Sequence, residues 1–177
     1  MAGAYYQYIV KLLMVGAERV GKTSLLLRFT EGIFSSDQRA TIGVEYKTKV
    51  TQVCEKAVKL ATWDSSGREV YKAVTESYYR GTAGFMLVYD ITDEGSFQKI
   101  GQMINGIKEA APHAVLMVVG NKCDLENARV VSAEQGQSFA DEHDCKFMET
   151  SASDNVNVNE MMMDVAEAIF SKIMQAE

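Results

Sequence analysis

Apolar residues fall in blocks of two kinds along this chain. Tyr8–Val15 is a nearly continuous apolar run broken only by Lys11, and residues 85–91 and 115–119 repeat that pattern. Such runs suit strands covered on both faces of a parallel sheet. Residues 22–29 instead carry Leu25, Leu26 and Phe29 as the apolar face of a helix, and a glycine-interrupted helical segment spans roughly residues 96–110. Residues 44–54 and 58–63 are β-rich, and the short polar stretch Glu55-Lys56-Ala57 between them predicts an antiparallel hairpin at a sheet edge. Residues 34–41 are polar and read as a surface loop, while 64–80 are polar and aromatic without a clear period.

Toward the end of the chain, Ser132-Ala133-Glu134-Gln135 fits a capping box for a helix running to about His143. Residues 146–150 predict a short last strand, and Asn157 with Glu160 offers a cap for a closing helix through Ile173. Met161, Met162 and Met163 lie in that amphipathic segment, so core packing is expected of them rather than metal binding. Strand and helix alternate, which predicts a right-handed, doubly wound α/β sheet.

Composition narrows the picture. A chain of 177 residues, 47% hydrophobic, is long enough for one well-cored domain and short for two. The net charge of −6, with no Lys/Arg cluster, argues against nucleic acid as a partner. Cys54, Cys123 and Cys145 are odd in number and unevenly spaced, so neither a disulfide framework nor a structural zinc site is expected, and a reducing cytoplasm is the default compartment. No apolar run approaches the length of a membrane span, and the first residues lack a signal-peptide pattern. Neither end carries a lipidation motif, so no direct lipid anchor is expected from these residues.

The chemistry concentrates at Gly16-Ala17-Glu18-Arg19-Val20-Gly21-Lys22-Thr23, between the first strand and the first helix. Two glycines let backbone N–H groups face an anion, Lys22 can reach terminal phosphates, and the Thr23 hydroxyl can ligate Mg²⁺. Kinase, ATPase and GTPase all use such a loop, so downstream residues must decide. Asp64-Ser65-Ser66-Gly67 follows a strand: the carboxylate can hold Mg²⁺ and the glycine N–H can meet the terminal phosphate. Asn121-Lys122-Cys123-Asp124 ends another strand, where open α/β sheets bind ligands. An aspartate there can accept from guanine N1–H and its exocyclic amine, a pattern adenine does not present, which disfavours an adenine-nucleotide kinase or ATPase.

With these motifs, Thr41 and Thr150-Ser151-Ala152, the chain resembles the Ras superfamily of small GTPases and, within it, the Rab family. Ile42-Gly43-Val44-Glu45-Tyr46, Tyr78-Tyr79-Arg80-Gly81 and Leu87-Val88-Tyr89-Asp90-Ile91-Thr92 carry the Rab resemblance. It implies an α/β P-loop NTPase fold: a doubly wound, mostly parallel six-stranded sheet with one antiparallel edge strand and about five flanking helices. It implies a guanine-nucleotide site made of Glu18, Arg19, Val20, Gly21, Lys22, Thr23, Ser24, Phe34, Thr41, Gly67, Asn121, Lys122, Asp124, Ser151 and Ala152. Thr23, Thr41 and Asp64 would hold Mg²⁺. Lys22, Thr41, Gly67 and Arg68 stand at the catalytic positions. Phe34 would pack on the guanine edge, Lys122 along the base plane, and the Ala152 N–H would bond the guanine carbonyl. Residues 34–41 and 64–79 would be switches I and II, ordered by the γ-phosphate.

Tyr46, Trp63 and Tyr78 occupy positions where Rab proteins show an aromatic triad to effectors, although core packing explains such rings equally well from the residues alone. Partners implied are effectors, an exchange factor and a GTPase-activating protein, in a protein of vesicle or membrane trafficking. Peripheral attachment to endomembranes would need a lipidated tail outside this sequence.

Two residues depart from the family pattern. Arg68 stands where a glutamine orients the attacking water. Guanidinium has five donors and no acceptor, so slow hydrolysis is expected. Glu18 stands beside the γ-phosphate position, where bulk obstructs an incoming arginine and a carboxylate repels phosphate. A sharper expectation is that Glu18 and Arg68 pair across that position as a closed gate. The alternative to a slow switch is a nucleotide-bound interaction module without turnover, or the GTPase domain of a larger protein.

Overall fold

The computed structural model describes residues 5–176. The expectations about the extreme N-terminus and Glu177 lie outside that range. Six strands form one sheet in the order β2-β3-β1-β4-β5-β6: β1 Tyr8–Val15, β2 Val44–Val53, β3 Lys56–Ser65, β4 Gly84–Asp90, β5 Val115–Asn121 and β6 Lys146–Glu149. Only β2 runs antiparallel, paired with β3 at the edge, while β1, β3, β4, β5 and β6 are mutually parallel. Five helices flank the sheet: α1 Lys22–Glu31, α2 Lys72–Glu76, α3 Glu94–Ala110, α4 Ala133–Glu142 and α5 Val158–Ala176. Among the described residues, none of these helices is long and apolar enough to cross a membrane.

The continuous apolar runs are explained by two cores, one on each face. Leu12, Met14, Met86, Val88, Met117 and Val119 pack with Leu25 and Phe29 of α1 and Met161, Met162, Val165 and Ile169 of α5. Their sequence neighbours Leu13, Val15, Phe85, Leu87, Leu116 and Val118 turn to the other face, against Ile100, Ile104 and Ile107 of α3 and Ala140 of α4. Successive strand side chains alternate faces, so a strand covered on both sides must be apolar throughout. Burying each large aliphatic side chain contributes about 1.5–3 kcal/mol. Met161 and Met162 are fully buried in the α1/α5 core, the packing role expected of them.

Several boundaries differ from the sequence pattern for local reasons. The β2–β3 turn is Cys54-Glu55, not residues 55–57. Both turn residues have positive φ, 47° and 65°, the backbone shape whose twist matches the flanking strands. Neither is Gly or Asn, so the usual turn signal was missing. β3 continues past Trp63 to Ser65, which fixes Asp64 inside a strand. α3 begins two residues earlier than expected because Asp93 caps it, its carboxylate accepting from the N–H groups of Gly95 and Ser96 at 3.0 and 3.3 Å. The Ser132–Gln135 capping box forms reciprocally. Asn157 does not cap as expected: it takes a left-handed conformation, φ 56°, and its amide donates to the Glu149 carbonyl at 2.9 Å. Within residues 64–80, a turn of 3₁₀ helix at Glu69–Tyr71 runs into α2; both are short and largely exposed, which is why no helical period marked them.

Candidate functional site

The C-terminal ends of β1, β3 and β5 and the segment after β6 open onto a cavity of about 920 Å³. Strands end there because their connections must climb over the sheet edge, leaving backbone groups free for a ligand. One end of the cavity is the loop from Gly16 to Gly21, the other the segments after β5 and β6.

At the first end, Lys22 opens α1 and is 5% exposed. Its ammonium donates to the carbonyls of Gly16 and Ala17 at 2.9 and 2.5 Å. Burial lowers its pKa to about 8, with the Asp64 carboxylate opposing the shift. Thr23 donates a short hydrogen bond to Asp64 Oδ2, the Thr23 and Thr41 hydroxyl oxygens lie 2.8 Å apart, and Thr41 reaches the same carboxylate oxygen at 3.4 Å. Asp64 is 1% exposed and its Oδ1 has no hydrogen-bond partner. Burial raises the Asp64 pKa, against the pull of the Thr23 hydrogen bond and Lys22. Two hydroxyls and a carboxylate with an unsatisfied buried oxygen form a hard-oxygen set that fits Mg²⁺, a cation that takes few protein ligands and completes its shell with phosphate and water.

Gly67 touches this loop so closely that an added Cβ would stand 2.0 Å from the Glu18 nitrogen and 2.1 Å from the Ala17 carbonyl carbon. Only glycine lets the segment after β3 meet the phosphate loop backbone to backbone. Beside it, Arg68 Nε stands 4.0 Å from Glu18 Oε2, both side chains about half exposed. Glu18 and Arg68 are therefore neighbours at the mouth of the cavity.

At the second end Asn121, Ser151 and Lys122 all find partners within the protein. Asn121 donates from Nδ2 to the Val20 carbonyl at 2.8 Å and accepts from the Thr150 hydroxyl at 3.0 Å. Gly21, at φ 99°, leaves room for that amide, which a Cβ would meet at 2.3 Å. Ser151 donates to Asp124 Oδ1 at 2.7 Å, orienting the carboxylate whose other oxygen is free for a base. Lys122 bonds the Arg19 carbonyl at 2.8 Å and pairs with Asp90 Oδ2 at 2.7 Å. Burial works to raise the Asp90 carboxyl, but hydrogen bonds from Lys122 and Thr92 hold it below its ordinary range. Arg19 and Lys122 both adopt left-handed backbone, φ 64° and 65°, a conformation that costs of order 1 kcal/mol or more and persists where surrounding bonds impose it.

Of the residues expected at the site, Glu18, Arg19, Gly21, Lys22, Thr23, Ser24, Phe34, Thr41, Gly67, Arg68, Asn121, Lys122, Asp124 and Ala152 line the cavity. The Val20 side chain does not: it is buried in the α1/α5 core, and the Val20 carbonyl accepts from Asn121. Asp64 and Ser151 stand behind the lining and act through Thr23 and Asp124. Sequence reasoning missed Asp90, the counter-ion of Lys122, and Arg28, which reaches the carbonyls of Ala152 and Ser153. Asp90 lay inside the quoted 87–92 motif but nothing in it told which side chain it met; Arg28 lies outside every quoted motif.

Tyr46 and Trp63 are register partners across β2 and β3 with ring centroids 4.7 Å apart, and Tyr78 lies 6.3 Å from Trp63. The Lys11 ammonium sits over the Trp63 and Tyr78 rings at 5.1 and 5.6 Å. This accounts for the one charge in the apolar run of β1.

The Ras family model matches residues 11–171. The chain is 43% identical over 172 residues to Ras-related protein Rab-8B of Dictyostelium discoideum, covering 97% of this chain and 85% of the relative. It is 44% identical to Ras-related protein Rab-10 of Caenorhabditis elegans, covering 98% and 87%. To GTP-binding protein ypt2 of Schizosaccharomyces pombe it is 41% identical, covering 100% and 89%.

Proposed function

The chain belongs to the Rab family of Ras-type small GTPases, and on that premise we propose that it is a Mg²⁺-dependent GTP/GDP switch of membrane trafficking with slow intrinsic hydrolysis. The observation that carries the slow turnover is Arg68 beside Glu18 at the mouth of the cavity. In-line attack on the γ-phosphate breaks the bond to the β-bridging oxygen as water bonds to phosphorus and gives up a proton. A water poised for that step must donate to an acceptor. Arg68 offers only donors, and the nearest carboxylate to it, Glu18, would repel the phosphate the water attacks.

Within this reading the remaining groups keep their parts. Lys22 neutralises charge on the terminal phosphates, whose negative charge in turn favours its protonated form. Asp124 reads the guanine edge, Lys122 lies along the base, Phe34 covers it, and the Ala152 N–H meets its carbonyl oxygen. Thr23, Thr41 and Asp64 would hold Mg²⁺, which when bound offsets the negative charge of the phosphates. Thr41, on the exposed loop 34–41, reports the nucleotide state because its contacts depend on the terminal phosphate. Partners would meet the surface where Tyr46, Trp63 and Tyr78 gather, Tyr46 being half exposed there. Clustered exposed apolar groups rimmed by polar ones favour protein binding.

A second reading, a nucleotide-bound interaction module without turnover, is favoured by the same Arg68–Glu18 proximity. Extraction and identification of the nucleotide from purified protein, followed by single-turnover hydrolysis with Mg²⁺, separates the two. A slow but measurable conversion of bound GTP supports the switch, and no conversion over many hours supports the module. Copurified ATP in place of guanine nucleotide would overturn both.

A further inference from the structure

We propose that Arg28 is a nucleotide-retention residue, a positioning group on α1 that holds the base-binding loop and the covering phenylalanine together. Arg28 lies one and a half turns beyond Lys22 on the helix that starts at the phosphate loop. Its Nε donates to the Ala152 carbonyl at 2.8 Å and its Nη2 to the Ser153 carbonyl at 3.0 Å. Its guanidinium carbon stands 5.9 Å from the Phe34 ring centroid, within the range of a cation–π contact. One planar fork thus touches the segment after β6 and the loop after α1, the two pieces that would close on either side of a base.

The two carbonyls need a donor from outside their own loop. They belong to the turn that carries the Ala152 N–H, the peptide groups that directly follow it, so holding them restrains the turn that presents that N–H. The neighbouring bonds hold other parts of the turn: Ser151 Oγ bonds Asp124, and the Asp154 N–H donates to Ser151 Oγ at 3.0 Å. Arg28 also donates from Nη1 to the carbonyl of Gly32, the residue that caps the C-terminus of its own helix, at 3.2 Å. That bond stabilises α1 whether or not a nucleotide is present, so helix capping is the role to be distinguished. A lysine at this position would keep the positive charge at the helix end, but a single ammonium on a flexible stem cannot present two divergent donors in a fixed plane.

The inference rests on the guanine-nucleotide reading above. The experiment is release of fluorescently labelled GDP from the full chain, comparing wild type with Arg28→Lys and Arg28→Gln, each with Mg²⁺ and after chelation. The expected result is roughly tenfold faster release from Arg28→Gln, the size of effect lost with hydrogen bonds from a charged donor, and most of that acceleration in Arg28→Lys as well. The factor should persist after chelation, because Arg28 acts at the base end and Mg²⁺ at the phosphate end, and well-separated groups contribute additively. Inosine diphosphate shares the carbonyl that faces Ala152, and its release should accelerate by the same factor. Unchanged release in both variants, or an acceleration in Arg28→Gln fully restored by Arg28→Lys, would assign Arg28 to helix capping and overturn the proposal. Failure of the wild type to retain labelled GDP would overturn the guanine-nucleotide reading itself, and the proposal with it.

Discussion

At the base end of the cleft, Asn121, Thr150 and Ser151 are buried, and their side chains bond one another's loops across the ends of β1, β5 and β6. At the phosphate end, Glu18 and Arg68 are half exposed and approach only to 4.0 Å, and residues 35–40 are exposed throughout. Both ends carry charged and polar groups, yet the buried side chains of the first are paired with groups of the protein and the second leaves Asp64 Oδ1 unpartnered. A buried polar network needs all its partners in place to be worth its desolvation, so the base end is committed when the chain folds. At the phosphate end Lys22 and Asp64 are buried and bonded, but its outer rim, Arg68 with Glu18 and residues 35–40, is exposed, and an exposed pair of that kind contributes little and exchanges readily with water.

This contrast is sharpest at Asn121. Replacing it with alanine removes one bond to Val20 and one to Thr150 and leaves both partners buried. Loss of about 2 kcal/mol, roughly a 30-fold weaker GDP affinity, is expected in competition binding. A loss under threefold would mean that the base seat does not depend on this network.

Arg68→Gln tests the other end. Supplying an acceptor for the attacking water should raise intrinsic single-turnover hydrolysis about tenfold, equivalent to about 1.4 kcal/mol in the barrier, with GDP affinity unchanged. An unchanged or lower rate would remove water positioning as the cause of slow turnover.

A smaller effect comes from Lys22. Its pKa in the empty site is about 8, and phosphates entering the site restore the charged form. Binding therefore takes up a proton above pH 8, and this contribution is fully present below that pH and lost as pH rises. GDP affinity should fall about fourfold between pH 7 and 8.5, by the proton linkage of a single group. For the empty protein the sign reverses. Between about 8 and 10.5 the unfolded chain holds the extra proton, so this group's contribution to stability rises with pH. A flat GDP affinity across that range would mean that Lys22 is already charged before the ligand arrives.

The smallest expected effect is the coupling between Glu18 and Arg68. A double-mutant cycle to alanine, read in single-turnover hydrolysis, should give under about 1 kcal/mol, because the pair is exposed and long. A larger coupling would make the pair a gate in its own right and bring the phosphate end closer in character to the base end.

Much of the architecture was legible before any coordinates. Continuous apolar runs marked β1, β4 and β5 because a strand buried on both faces has no position for a polar residue. The phosphate loop was legible because its glycines, Lys22 and Thr23 are tied to one another by spacing within a single connection. Less legible were features that draw on distant parts of the chain. The exposed α2 has no apolar period to announce it, and the Cys54-Glu55 turn contains neither residue that usually marks positive φ. Val20 sits in the loop, yet its apolar side chain turns to the core while its carbonyl accepts from Asn121, a division between side chain and backbone that no motif spells out.

The order of elements, the face each strand residue takes and the chemistry of the site motifs follow from the sequence, because they depend on periods of two and 3.6 residues and on groups adjacent in the chain. Tertiary structure decided which charges meet. Lys122 finds Asp90 from the end of a neighbouring strand, Arg28 reaches Ala152 and Ser153 more than 120 positions away, and Glu18 faces Arg68 because Gly67 lets the backbone approach. Side chains of that reach have many possible partners along a chain, and only the close packing of the sheet ends selects one.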